Sequence, residues 1–131
     1  MLIYWLVKMK DGKLLLIDTT QDELLVALID KDTIQTRTSM EQRRHSEMLN
    51  TVVGDWLNMA DAFAVVTIGN SWTGTRVGAT AVKAWAMASG KPIIELDKPC
   101  FDTARLKFKS GDFTDIYALQ PKYNAEFKVT L

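Results

Sequence analysis

Asp18, Thr19 and Thr20 close an apolar run at residues 13–18 (KLLLID). A carboxylate at the carboxyl end of a buried strand, beside hydroxyls and free amides, suits a Mg²⁺–phosphate contact. The same aspartate can equally turn back and cap its own backbone. A second group, Gly69, Ser71, Thr73 and Gly74, lies in the loop Gly69-Asn70-Ser71-Trp72-Thr73-Gly74, between an apolar run at 62–68 and a helical pattern. At such a junction free amides and the helix dipole favour negative charge, and an ordinary strand-to-helix turn has a similar composition. Asp18, Thr19 and these four loop residues are therefore the candidates for holding a phosphate. The glycines do not form a P-loop, because no Gly-Lys-Ser/Thr follows them.

Arg76 falls in the first turn of the helix after that loop, where a cation opposes the dipole. An anion or a carboxylate (Glu41, Asp61 or Asp18) would relieve it, so a structural role is expected for Arg76. His45, in Arg43-Arg44-His45-Ser46-Glu47, is the one histidine. No second histidine or cysteine stands at ligand spacing, so no metal site is expected. No nucleophile-elbow motif is present either, and no catalytic residue is assigned. A hydrogen-bonded or partner-facing histidine is the better reading.

The elements that must position these residues can be read in order. Residues 2–7 are apolar and aromatic, and Asp11-Gly12 is a hairpin signal. Residues 13–18, 23–30 and 33–38 read as three strands joined by short polar turns, the third alternating with one wet face. A helix opens at Ser39 or Glu41 and carries Met48, Val52 and Trp56 at four-residue intervals, with Gly54 inside it at a cost of about 1 kcal/mol relative to alanine. Residues 62–68 form a strand covered on both faces. The second helix has Val77, Ala81, Ala84 and Ala88 along one line and Gly78, Val82 and Trp85 along the next, and stops at Gly90 before Pro92. A short strand follows at 92–96. Residues 101–109 suggest a short helix, 115–119 an extended segment, and Pro121-Lys122-Tyr123 starts the tail. The order is β-β-β-α-β-α-β with a closing segment at 98–131 and an extra amino-terminal strand at 1–12.

At 131 residues the chain fits one domain with a single α/β core. Sixteen basic and sixteen acidic residues cancel, which leaves no basic footprint for gripping nucleic acid directly. A single cysteine, Cys100, excludes an internal disulfide and fits a reducing, cytoplasmic setting. The apolar start is too short to span a membrane and lacks the basic segment of a secretory leader.

Together the motifs resemble the TsaB (YeaZ) family, the small actin-like partner in the bacterial pathway that makes threonylcarbamoyladenosine in tRNA. The family's Ile-Asp-Thr strand end is matched by Ile17-Asp18-Thr19, and its Arg-x-His-Ser/Thr helix motif by Arg43-Arg44-His45-Ser46. Its signature loop, roughly Gly-Pro-Gly-Ser-Phe-Thr-Gly-x-Arg-x-Gly, is matched by Ile68-Gly69-Asn70-Ser71-Trp72-Thr73-Gly74-Thr75-Arg76-Val77-Gly78. The chain departs at Ile68-Gly69-Asn70, where the family has Gly-Pro-Gly, and in having the second actin-like subdomain reduced to a connection near 98–103. The resemblance implies a ribonuclease-H-like (actin-like) subdomain, with a mixed five-stranded sheet in the order 3-2-1-4-5. Residues 2–7 have no place beside the first strand in that order.

The resemblance further implies a non-catalytic subunit that pairs through its two helices with a TsaD-like catalytic subunit. A TsaE-like ATPase joins the complex, which uses ATP and Mg²⁺ and meets tRNA, while this chain alone holds no cofactor. His45, Met48, Val52, Trp56, Gly78, Val82 and Trp85 are the expected contact residues, since surplus apolar helix surface marks an interface; a homodimer through the same surface is expected when the chain is alone. Two other functions stay open at this point: a self-associating structural protein, and a small phosphotransferase using Asp18 and the 69–74 loop.

Overall fold

The computed structural model describes residues 12–40, 45–69 and 72–123. The expected strand at 2–7 lies outside the described residues, as do Glu41, Asn70, Ser71 and the tail beyond Tyr123. Strands β1 (Leu14–Asp18), β2 (Leu24–Ile29) and β3 (Ile34–Ser39) form an antiparallel meander. Helix α1 (His45–Val53) and the short α2 (Trp56–Met59) lead to β4 (Ala62–Val66), which pairs parallel with β1. After β5 (Ile68–Gly69), α3 (Trp72–Ser89) returns to β6 (Ile93–Leu96), parallel to β4. Helix α4 (Phe101–Ser110) and β7 (Lys122–Tyr123) complete the described chain.

The mixed five-stranded sheet runs β3-β2-β1-β4-β6. This differs in detail from the expected order. A two-residue strand, β5, intervenes in the chain and forms its own small sheet with β7. The fifth place in the large sheet therefore belongs to the sixth strand.

Because alternate side chains point to opposite faces, the register sorts the core. Leu15, Ile17, Val26, Leu28, Phe63, Val65 and Ile93 face α1, α2 and α3, which bury Leu49, Val53, Trp56, Val82 and Ala86 against them. Leu14, Leu16, Ala27, Ile29, Ala64, Val66 and Ile94 face α4, which contributes Ala104 and Phe108. Both faces of β1 and β4 are covered, which explains why these strands read as continuous apolar runs.

Three local expectations are corrected. The first helix does not pass through Gly54: that residue takes a positive φ of 51°, and the helix ends at Val53 and restarts at Trp56. Arg37 of β3 caps the break. Its guanidinium donates to the carbonyls of Val52 (3.2 Å) and Val53 (3.1 Å) and to the Asp55 carboxylate (3.2 Å), and lies 3.7 Å over the Trp56 ring. A cation there satisfies orphan carbonyls and complements the helix dipole. The segment 115–119 is a turn, closed by Ala118 and Leu119 amides on the Asp115 carbonyl, and not extended. Helix α4 runs one residue further than expected, to Ser110, and stops because Gly111 adopts the left-handed conformation (φ 70°).

Candidate functional site

β1 and β4 end side by side, and the residues that follow them meet the amino-terminal turns of α3. Asp18, Thr19, Thr20, Thr67 and Thr75 are all buried there. The Asp18 carboxylate accepts the Thr20 amide (2.9 Å) and hydroxyl (2.6 Å) through one oxygen, Oδ1. This is the backbone-capping alternative raised by its sequence. The Thr19 hydroxyl donates to the Gly74 carbonyl (2.6 Å) and accepts from the Gly78 amide (2.9 Å). Gly74 and Gly78 are i and i+4 in α3, so a side chain just beyond β1 sits on a rung of the helix ladder.

Two glycines make this approach possible. A Cβ on Gly78 would stand 2.9 Å from the Thr19 hydroxyl and 3.3 Å from Val65 Cγ2, and one on Gly69 would meet the Thr75 hydroxyl and stand 2.7 Å from Thr20 Cβ. The crevice is thus packed with threonine. The Thr75 hydroxyl oxygen is buried and has no hydrogen-bond partner among the described residues. Thr73 is exposed and Gly74 half-buried, while Ser71 lies outside the described residues.

The expected contact residues divide sharply. His45, Trp56, Gly78 and Val82 are buried inside the chain, and Met48, Val52 and Trp85 are half-buried against the core. This corrects the expected exposed stripe: the line through Gly78, Val82 and Trp85 faces the sheet, where Trp85 packs its ring 5.8 Å from Phe63. The His45 Nε2 lies 2.8 Å from the Gln21 carbonyl. A carbonyl only accepts, so the ring proton is on Nε2, and Nδ1 is buried without a partner among the described residues. His45 thus ties α1 to the β1–β2 turn.

What α1 and α3 present outward is a groove of about 460 Å³ between them. Leu49, Val77 and Ala81 give it apolar walls; Ser46, Asn50, Thr73, Arg76 and Thr80 add polar groups. The line carrying Val77 and Ala81 was visible in the sequence as the neighbour of the one expected at the surface. Arg76 is exposed at this groove. The Asp61 carboxylate accepts the Lys13 amide at 2.9 Å.

Periodicity gave no sign of the closing cluster. The Lys122 amide donates to the Thr67 carbonyl (2.6 Å), and the Glu95 carboxylate accepts the Thr67 hydroxyl (3.0 Å) and lies 3.4 Å from Lys122 Nζ. Cys100 is exposed ahead of α4, and the Thr103 hydroxyl 3.2 Å from its sulfur holds the thiol below its ordinary pKa. Among the described residues no group of three or more His, Cys, Asp or Glu is arranged to hold a metal, and no helix is long and apolar enough to cross a membrane.

No protein-family model matches the chain, and no curated protein does. Solved structures do. A Pseudomonas aeruginosa protein described as similar to the peptidase YeaZ superposes with a TM-score of 0.62 at 23% identity, over 76% of this chain and 50% of that one. YeaZ from Pseudomonas aeruginosa gives a TM-score of 0.59 at 21% identity, with the same coverage of each chain. This chain therefore spans about half the length of the proteins it superposes on. The fold of roughly three quarters of the chain is YeaZ-like.

Proposed function

We propose that this protein is a TsaB-like, non-catalytic subunit that docks a TsaD-like catalytic partner in tRNA threonylcarbamoyladenosine synthesis. The observation that carries the reading is the groove between α1 and α3, an open concavity with apolar walls and a polar rim, on a YeaZ-like fold. Grooves of this kind take the side chains of a partner helix. The threonine-packed crevice supports the non-catalytic part of the reading. Asp18 Oδ1 and the Thr19 hydroxyl, which a phosphotransferase would turn toward a nucleotide, are engaged in internal hydrogen bonds.

The test is capture of the same organism's TsaD-like protein by this chain, with and without the paired substitutions Asn50→Glu and Thr80→Glu, which put a carboxylate on each wall of the groove. Capture by the natural sequence and its loss in a folded double variant are expected. Undiminished capture by the double variant would place the contact elsewhere. In the same preparation, millimolar ATP with Mg²⁺ is expected to leave the melting temperature of the isolated chain nearly unchanged. A ligand at a hundred times its dissociation constant would add about 2.7 kcal/mol, so a rise of several degrees would restore the phosphotransferase reading.

A further inference from the structure

The outer edge of β3 has a pattern that the groove does not use. Among the described residues no strand lies beyond β3. The β2–β3 hairpin closes with the Asp30 amide donating to the Thr33 carbonyl at 3.0 Å, which makes that pair a hydrogen-bonded one. Hydrogen-bonded and non-hydrogen-bonded pairs alternate along an antiparallel ladder, and the register runs unbroken from Ile29–Ile34 to Leu24–Ser39. Residues 35 and 37 are therefore spent on β2. Ile34, Thr36 and Thr38 turn their amides and carbonyls outward, and all three side chains are exposed.

Among the described residues this edge has none of the usual protections. Proteins blunt exposed edges with proline, lysine, bulges or short strands, whereas Ile34–Ser39 has six residues, unbroken register and no proline or lysine. Its single charge, Arg37, is drawn over the end of α1 onto Val52, Val53, Asp55 and Trp56.

We propose that β3 is a homotypic strand-pairing edge, joining antiparallel to β3 of a second copy about a two-fold axis at Thr36. The register chooses the occupant. Centred on Thr36, Ile34 faces Thr38 of the second copy, Thr36 faces Thr36, and Thr38 faces Ile34, so every outward amide and carbonyl of the three residues is paired. A shift of two residues either way strands one of them. In the same register Arg37 stands opposite Gln35, so no like charges meet, and the opposed Thr–Thr pair is a stabilising one. The edge is small, so the association is weak and concentration-dependent.

Sedimentation of the full chain over a concentration series tests this. Thr36→Pro removes only an outward amide, which an edge strand tolerates, and is expected to weaken dimerisation about tenfold or more. Thr36→Lys, which sets two ammonium groups face to face at the axis, should do the same in a chain that folds normally. The groove double variant Asn50→Glu with Thr80→Glu should dimerise like the natural sequence, so failure of this inference and of the docking reading remain separable. A monomer at every concentration, or a dimer unmoved by both Thr36 variants, overturns the proposal. So does a full chain that stays monomeric while a variant lacking residues 2–7 dimerises, which would give the edge to the chain's own amino-terminal segment.

Discussion

Helix α3 borders two concavities that receive opposite treatment. At its amino-terminal turns, the crevice beyond β1 and β4 is filled from within: Thr19 occupies a rung of the helix, Gly69 and Gly78 let the backbones close, and Asp18 turns onto Thr20. Along its flank, the groove shared with α1 is left open, with Val77 and Ala81 on its wall and Thr80 and Arg76 at its polar rim. The difference shows how composition separates a packed crevice from an open groove here. Hydroxyls paired with glycines serve internal packing, while small and apolar residues beside polar ones leave the groove unfilled by the described residues. Adjacent positions on one helix take the two roles, as Val82 is sealed in the core and Ala81 lines the groove.

The largest effect should come from testing that adjacency directly. Val82→Glu buries a carboxylate with no partner, which costs several kcal/mol and is expected to unfold the chain, as circular dichroism and thermal melting would register. The groove pair Asn50→Glu with Thr80→Glu should stay within about 0.5 kcal/mol per substitution of the natural sequence. If Val82→Glu folded normally, the assignment of that face to the core would fail.

The next contrast lies inside the crevice. Thr19→Val keeps the shape and removes the hydroxyl, leaving the Gly74 carbonyl and Gly78 amide without it. A loss of about 1–3 kcal/mol is expected, largely recovered by Thr19→Ser. Equal stability of all three in urea unfolding would mean that the hydroxyl is incidental.

The smallest expected effect belongs to neither concavity and serves as a surface reference. Amides of Thr33 and Asp32 donate to the Asp30 carboxylate and hold its pKa below the ordinary value of 3.8. A depressed folded-state pKa adds stability that is present above the unfolded value and is lost as the pH falls through the folded one. The melting-point advantage over Asp30→Asn should therefore be full above about pH 4 and shrink below it. An advantage that grew on acidification would reverse the assignment.

Much of the fold was legible because the strands that matter most are buried on both faces. Residues 14–18 and 62–66 read as unbroken apolar runs, and Gly90 and Gly111 end helices where turn chemistry places them. Which helix line faces the sheet was not legible. Both helices carry apolar residues on more than one line, and periodicity cannot rank two adjacent lines whose side chains are similar. Gly54 misled for another reason: a glycine inside an apolar period looks like a tolerated interruption, and only Arg37, reaching from a distant strand, shows that the helix stops there. Thr19 was legible as a candidate, but its partners lie 55 and 59 residues away, beyond any local pattern. Two-residue strands such as β5 and β7 are too short to have a period at all.

The parallel pairing of β1 with β4 has a consequence for how the chain is made. Synthesis delivers β1, β2 and β3 first, and their short turns let the meander close locally. Among the described strands none is yet available to the second edge of β1, and its apolar side chains wait for cover while the residues of α1 and α2 are added. Only when β4 emerges does the sheet gain its centre, and Thr19 finds its rung later still, once α3 exists. The nascent chain therefore passes through an interval in which its most hydrophobic strand is its most exposed edge, the situation in which newly made proteins depend on rapid closure or on chaperones.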